Sequence, residues 1–410
     1  MNKKQDISGL RPGYKPSPLG PIPVDWDVIE FGEFAEVGKK KYVPVENENI
    51  KCLELEHFEQ GTGHILGWTN SSEQKSTKNK FKRGQVLFGK LRPYLQKYWL
   101  AEFDGVCSSE VWVLQSKNKK CSNEFLFRIV QHNHFIQVAN VSSGSKMPRA
   151  DWDYVSSYPF PLPPSPEQTA IANLLNTWDK AIQTTNQLID KKEQCKKWLM
   201  HQLLAGKKRM KGFGGDWKHY SYEKLLKEVR RPVEWDDNKE YRLISVRRRS
   251  GGIFLREALY GHQIKVKDLR NANEGDFLFS KMQIVHGASA LVTKAFAGTK
   301  ISGSYIAVVP KDPNTLNMQF FNWYSQTPLF YHQTYISSYG VHIEKMTFDF
   351  ESFLSLEMRL PSLEEQAAIT AVLEAASKEI RLLKAKAEQL KEQKRGLMQQ
   401  LLTGKKRLKF

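Results

Sequence analysis

A long-period internal duplication constrains this chain more than any other feature of its sequence. Glu167-Gln168-Thr169-Ala170-Ile171 recurs as Glu365-Gln366-Ala367-Ala368-Ile369, and Leu199 to Arg209 (LMHQLLAGKKR) recurs as Leu397 to Arg407 (LMQQLLTGKKR), both at an offset of 198 with no gap between them. Upstream the likeness is weaker but keeps its order. Asp25-Trp26 faces Asp216-Trp217, and Gly84 to Lys90 faces Gly275 to Lys281, at an offset of 191. Ser109 to Leu114 then faces Ser304 to Val309, and Val141-Ser142-Ser143 faces Ile336-Ser337-Ser338, at 195. A drift of this size is what small loop insertions produce, so the chain reads as two copies of one unit, each a variable globular half followed by a well-matched helix.

The matched segments predict long helices. Apolar or small residues alternate in steps of four and three along Ile171, Leu175, Trp178, Ile182, Thr185 and Ile189, continuing at Leu199 and Leu203. The second copy gives Ile369, Leu373, Ala376, Ile380, Leu383, Ala387, Leu390, Leu397 and Leu401. This is a coiled-coil seam, and about 40 residues at 1.5 Å each extend roughly 60 Å. Proline-rich sequence precedes each helix, Ser165 and Ser362 are candidate N-caps, and Gly206 or Gly404 followed by Lys-Lys-Arg suits the negative end of the helix dipole. The expected pairing is antiparallel, as a rod between two domains. Strand-like runs at 86–88, 111–114, 277–279 and 305–309, with helices at 124–139 and 318–331, predict α/β (α+β) domains with curved mixed sheets. The expected boundaries are 1–162 and 212–360 for the globular halves, 163–211 and 361–410 for the helices.

Charge points to the partner. The 62 Lys and Arg against 44 Asp and Glu leave a net +18 on 410 residues, which favours a strongly anionic ligand. No apolar run is long enough for a membrane span or a signal peptide, so a cytoplasmic protein is expected. Cys52, Cys107, Cys121 and Cys195 are scattered with no C-x-x-C pair, which predicts reduced thiols and no structural zinc.

Motifs for chemistry on DNA are missing. Gly206-Lys207-Lys208-Arg209 lacks both the upstream glycine and the Ser or Thr of a phosphate loop. Pro163-Pro164 is followed by Ser165, where an amino-methyltransferase needs an aromatic ring against the flipped base. His132-Asn133-His134 has a nuclease's letters, but three residues in one short helix cannot face one metal, and Asp236 to Glu240 reads as a surface turn. A non-catalytic chain with no metal and no bound cofactor is expected.

Candidate contacts to double-stranded DNA are basic and aromatic residues at loop-like positions. In the first half these are Lys39, Lys40, Lys41, His57, Lys90, Arg92, Tyr94, Ser143, Ser145 and Lys146. In the second they are Arg247, Arg248, Arg249, Lys281, Gln283, His286, Ser338 and Tyr339. Arginine fits guanine with two hydrogen bonds, glutamine fits adenine, and hydroxyls or glycine-rich backbone fit phosphate. Arg247 and Arg248 stand opposite Glu56 and His57 in the repeat, so equivalent loops carry different chemistry, as two related readers of different sequences need.

Taken in order, several segments resemble the specificity subunit of Type I restriction-modification systems over nearly the whole chain. They are Leu19 to Trp26, Gly84 to Leu95, the helix entries Leu162 to Gln168 and Leu360 to Gln366, and the paired Leu-Leu-x-Gly-Lys-Lys-Arg exits. The resemblance implies two target recognition domains on an antiparallel helical spacer, each reading half of an interrupted DNA target. It also implies docking to two methyltransferase subunits that carry S-adenosylmethionine, and through them to ATP- and Mg-dependent restriction subunits. An autonomous two-domain DNA-binding regulator, or a coiled-coil scaffold with incidental charge, would share the repeat and the charge.

Overall fold

In a computed structural model the structure describes residues 10–118, 120–141 and 147–408. The chain divides into two compact units, one made of residues 1–186 and 385–410, the other of 187–384. Each unit therefore takes its helices from both repeats.

The first unit holds two open sheets. One is antiparallel, in the order Tyr98–Leu100, Val86–Gly89, Val111–Ser116, Ala35–Val37. The other runs Lys41–Tyr42, Lys78–Phe81, Gly105–Cys107, Lys51–Leu53, Thr69–Asn70, with one parallel pairing that joins 105–107 to 51–53. The second unit repeats the plan. Its antiparallel sheet runs Ser289–Leu291, Phe277–Ser280, Tyr305–Pro310, Leu226–Val229. Its mixed sheet runs Leu269–Ala272, Thr299–Ser302, Glu240–Val246, Ile253–Tyr260, with Leu243 opposite Lys300 as the parallel contact. The strand runs expected from sequence are all strands.

Alternation explains why residues 86–88 and 277–279 are apolar throughout. Val86 and Phe88 face the core shared with the helices, whereas Leu87 joins the core between the two sheets. Phe277 and Phe279 divide from Leu278 in the same way. A strand covered on both faces has no polar side.

The long helices are Ser165–Leu203 and Leu363–Leu401. In the first unit Ile171 and Leu175 share a core with Met398, Leu401 and Leu402, and Lys394 pairs with Asp179. In the second, Leu203 and Leu204 pack with Ile369 and Leu373, and Lys192 lies 2.7 Å from Glu379. Pairing is antiparallel within each unit. Every expected seam residue is buried or half-buried: Ile171, Leu175, Ile189, Leu203, Ile369, Leu373, Ile380 and Leu401 fully, Trp178, Ile182, Leu199, Leu383, Leu390 and Leu397 in part.

Three local expectations need correction. The helix predicted over 124–139 is two, Asn123–Gln131 and Asn133–Ala139, because His132 is extended and its Nδ1 accepts the His134 amide. The helix predicted over 318–331 is Met318–Tyr324 and Pro328–Ile336. Pro328 pushes Thr327 out of the helical region, and the Thr327 hydroxyl caps the second piece. Ser362 does cap its helix, its Oγ accepting the Glu365 amide at 3.3 Å, but Ser165 is already helical. There the Pro164 carbonyl receives the Glu167 and Gln168 amides. Among the described residues no helix is long and apolar enough to cross a membrane.

Candidate nucleic-acid interface

The repeated motifs build a frame on which the candidate reading loops are mounted. Glu167 is 1% exposed and accepts from Arg407 Nε and Nη2, both at 2.7 Å, and from Trp26 Nε1 at 2.8 Å. Arg407 also grips Asp25 through two bonds of 2.8 Å. In the second unit Glu365, with no exposed surface, accepts from Arg209 at 2.8 and 2.6 Å, and Arg209 also donates to the Gly214 carbonyl at 3.1 Å and to that of Gly215. The last arginine of each Lys-Lys-Arg thus leaves its own helix end to clamp the first turn of the opposite helix. Gly206 and Gly404, with φ of 66° and 69°, supply the left-handed turn that lets the tail fold back.

Electrostatics follow the geometry. Hydrogen bonds from Arg407 hold Asp25 below the usual carboxylate range, and the same bonds with Glu167 and Asp25 raise the Arg407 guanidinium. Burial pushes Glu365 up, but the bonds from Arg209 and the Met210 amide outweigh it and the net shift is downward. The neighbouring glutamines are staples. Gln168 donates to the carbonyls of Lys120 (2.8 Å) and Pro163 (2.9 Å) and accepts the Ser122 amide (3.0 Å). Gln366 donates to Thr315 (2.9 Å) and Pro361 (3.1 Å) and accepts the Asn317 amide (2.9 Å). Each ties the helix entry to the N-cap of a short helix in its unit, Ser122 before Asn123–Gln131 and Asn317 before Met318–Tyr324. Sequence reading found these motifs but not their partners. The available signal was the joint duplication of Glu-Gln with Lys-Lys-Arg.

The candidate contacts of the first unit fall in two groups. Lys39, Lys40 and Lys41 are exposed at the edge strand of the mixed sheet, where Lys41 donates to Asn79 Oδ1 at 2.7 Å. Lys90, Arg92 and Tyr94 leave the other sheet. Arg92 and Gln96 bracket a short turn with φ of 52° and 51°, Arg92 N–H donates to the Pro148 carbonyl, and Tyr94 is exposed. Residues of this type are strained in that region, and such strain collects at functional sites. His57 belongs to neither group, because its Nδ1 accepts the Glu54 amide at 2.9 Å and closes a turn. Ser143, Ser145 and Lys146 lie outside the described residues.

In the second unit the candidates converge. Arg247, Arg248 and Arg249 are exposed at the hairpin between Glu240–Val246 and Ile253–Tyr260, and Arg247 stacks 4.3 Å from the Phe254 ring centre. Arg249 N–H donates to the His286 carbonyl at 2.6 Å, and the Lys281 carbonyl accepts the Phe348 amide at 2.8 Å. Phe348 in turn pairs with Ser338, beside exposed Tyr339. Gln283 is half-buried at the corner that carries His286, and Ser338 Oγ donates to the Thr334 carbonyl at 2.7 Å. Sequence reading missed one feature of the first unit, Lys51 held 4.1 Å from the ring centre of half-exposed Trp68 and 4.4 Å from that of Phe103.

The profile of the Type I restriction modification DNA specificity domain matches twice, over residues 23–194 and 224–392. The chain belongs to that family. A Type I restriction enzyme EcoDI specificity subunit of Escherichia coli is 35% identical over 156 residues, covering 37% of this chain and 34% of that protein. The MjaVIII specificity subunit of Methanocaldococcus jannaschii is 23% identical, covering 95% of this chain and 94% of its own. Among solved structures, one reported for complex assembly and conformational transition of the type I R-M system has a TM-score of 0.61 at 17% identity, covering 93% of this chain and 99% of that one. The HsdS subunit from Thermoanaerobacter tengcongensis gives 0.53 at 18%, covering 93% and 98%. In this specificity-domain chain the clamp and staple residues join the helix ends to the globular part of each unit.

Proposed function

We propose that this chain is the non-catalytic DNA-reading subunit of a Type I restriction-modification complex, each unit reading one block of an interrupted double-stranded target. The observation that carries this reading is the combination of one antiparallel strand order and one Glu–Arg clamp, used twice, with different side chains on equivalent loops. Two methyltransferase subunits dock on the helices, where Leu188, Trp198 and Leu382 remain exposed outside the seam. S-adenosylmethionine belongs to those subunits, and the restriction subunits that join through them use ATP and Mg. A complex acting on cellular DNA places the chain in the cytoplasm.

Reconstitution tests the reading. The purified chain, supplied with S-adenosylmethionine, ATP and magnesium, neither methylates nor cleaves DNA. Adding the methyltransferase encoded beside it yields a stoichiometric complex that methylates at one interrupted motif. Methyl transfer by the chain alone, or tight binding of an operator with no partner, contradicts it.

A further inference from the structure

The hairpin turn Arg248–Gly251 is built in a strained form. Gly251 N–H donates to the Arg248 carbonyl at 3.2 Å, and the two residues between have φ of 56° (Arg249) and 52° (Ser250). Two left-handed central residues define a type I′ turn, which Asn-Gly or Gly-Gly occupies easily and Arg-Ser does not. Outside contacts hold the strain. Arg249 N–H donates to the His286 carbonyl (2.6 Å), Ser250 N–H to that of Gly287 (2.9 Å), and Ser250 Oγ lies 2.8 Å from the Tyr331 hydroxyl. Gly287 is required there, since a Cβ would come within 1.9 Å of that hydroxyl. The unit thus fixes an arginine-bearing turn where a relaxed hairpin was available.

A carboxylate sits in this cationic cluster. Glu344 Oε2 accepts from Arg248 Nη2 at 2.9 Å, and its Oε1 lies 3.2 Å from His286 Nε2. The Arg248 and Glu344 side chains are 51% and 58% exposed, and a pair so open to water adds little to stability. Its effect on ligands is larger. A carboxylate within a Debye length of a phosphate, about 8–10 Å, opposes phosphate contact, which carries no sequence information. It leaves the remaining N–H groups of the guanidinium fork free for a base edge.

We propose that Glu344 is a positioning residue for sequence reading, holding Arg248 away from phosphate and aiming its fork at guanine in the block read by this unit. The proposal rests on the function given above. Its test uses the complex with the methyltransferase subunits and a pool of duplexes randomised across the target. In Glu344→Gln, non-target binding tightens several-fold and its logarithmic salt slope steepens by up to about 0.9. Preference at one base pair of the second block falls about tenfold, within the range of one bidentate contact. Arg248→Ala loses preference at that same base pair, and adding Glu344→Gln changes it no further. Lys345→Gln, one residue along, weakens target and non-target alike, and the first block is read unchanged throughout.

Unaltered preference in Glu344→Gln overturns the proposal. So does loss at every position, a further loss in the Arg248→Ala background, or a melting midpoint lowered by more than a few degrees, which would make Glu344 structural. A wild-type complex with no sequence preference would instead sink the functional reading itself.

Discussion

Replacing Arg407 by alanine tests whether the clamp, rather than the coiled-coil seam alone, holds the tail of the chain on the first unit. The substitution strips Glu167, which is 1% exposed in the intact clamp, of its guanidinium partner and leaves Trp26 as a side-chain donor to it. Removing one partner of a buried ion pair costs about 3–5 kcal/mol. Arg407 is itself 34% exposed, which favours the lower end, and the exposed Asp25 contact adds at most about 1 kcal/mol. A loss of about 3 kcal/mol in a unit of about 200 residues corresponds to about 6–12 °C in melting temperature. Scanning calorimetry or urea denaturation measures it, with Lys405→Ala as the control because that side chain is exposed in the same tail. Glu167→Gln added to Arg407→Ala recovers part of the loss, since the buried charge is gone and the amide oxygen still accepts from Trp26. The reasoning fails if Arg407→Ala lies within about 1 kcal/mol of Lys405→Ala, or if the double variant is weaker than the single.

The two glutamine staples are equivalent, so Gln168→Ala and Gln366→Ala each cost about 1–3 kcal/mol for the amide and carbonyls they orphan, and agree within about 1 kcal/mol in urea denaturation. In native protein at pH 8 only Cys195 reacts rapidly with a thiol reagent. Burial raises Cys52 to about 11 and pushes Cys107 and Cys121 higher, so the other three react only on unfolding. The pH dependence of the first clamp follows from Asp25, whose folded value is lowered by Arg407. A depressed carboxylate contributes stability above its unfolded value of about 4 and loses it as pH falls through the folded value, so Asp25's share of the gap between wild type and Arg407→Ala is constant through neutral pH and shrinks below about 4.

The parts of the fold legible in the sequence were those written as periodicity. The seam from Ile171 to Leu203 and its copy, and the doubly covered strands around Leu87 and Leu278, announce themselves because burial selects side chains at fixed steps. What escaped depends on partners far along the chain. Arg407 and Glu167 are 240 residues apart, Arg209 and Glu365 156, and no local pattern pairs them. Their pairing also shows why the tail of the chain belongs to the first unit. The helix breaks at His132 and Thr327 turn on one capping side chain each, too small a signal against an otherwise helical run. Among candidate contacts, charge and loop position found the Arg247–Arg249 turn. They could not find its strain, because Arg249-Ser250 lacks the Asn-Gly signature of the turn it makes, nor predict that His57 would spend its ring nitrogen on a backbone amide.

The central claim, that each unit reads one block of an interrupted target, is tested most directly by mapping methylated bases across the genome of cells carrying the wild-type chain or a chimera. In the chimera residues 1–160 come from a relative of different specificity. The account predicts a motif of two short blocks around an unspecified gap, with one block replaced in the chimera and the other unchanged. A single uninterrupted motif, or a chimera in which both blocks change, would contradict it.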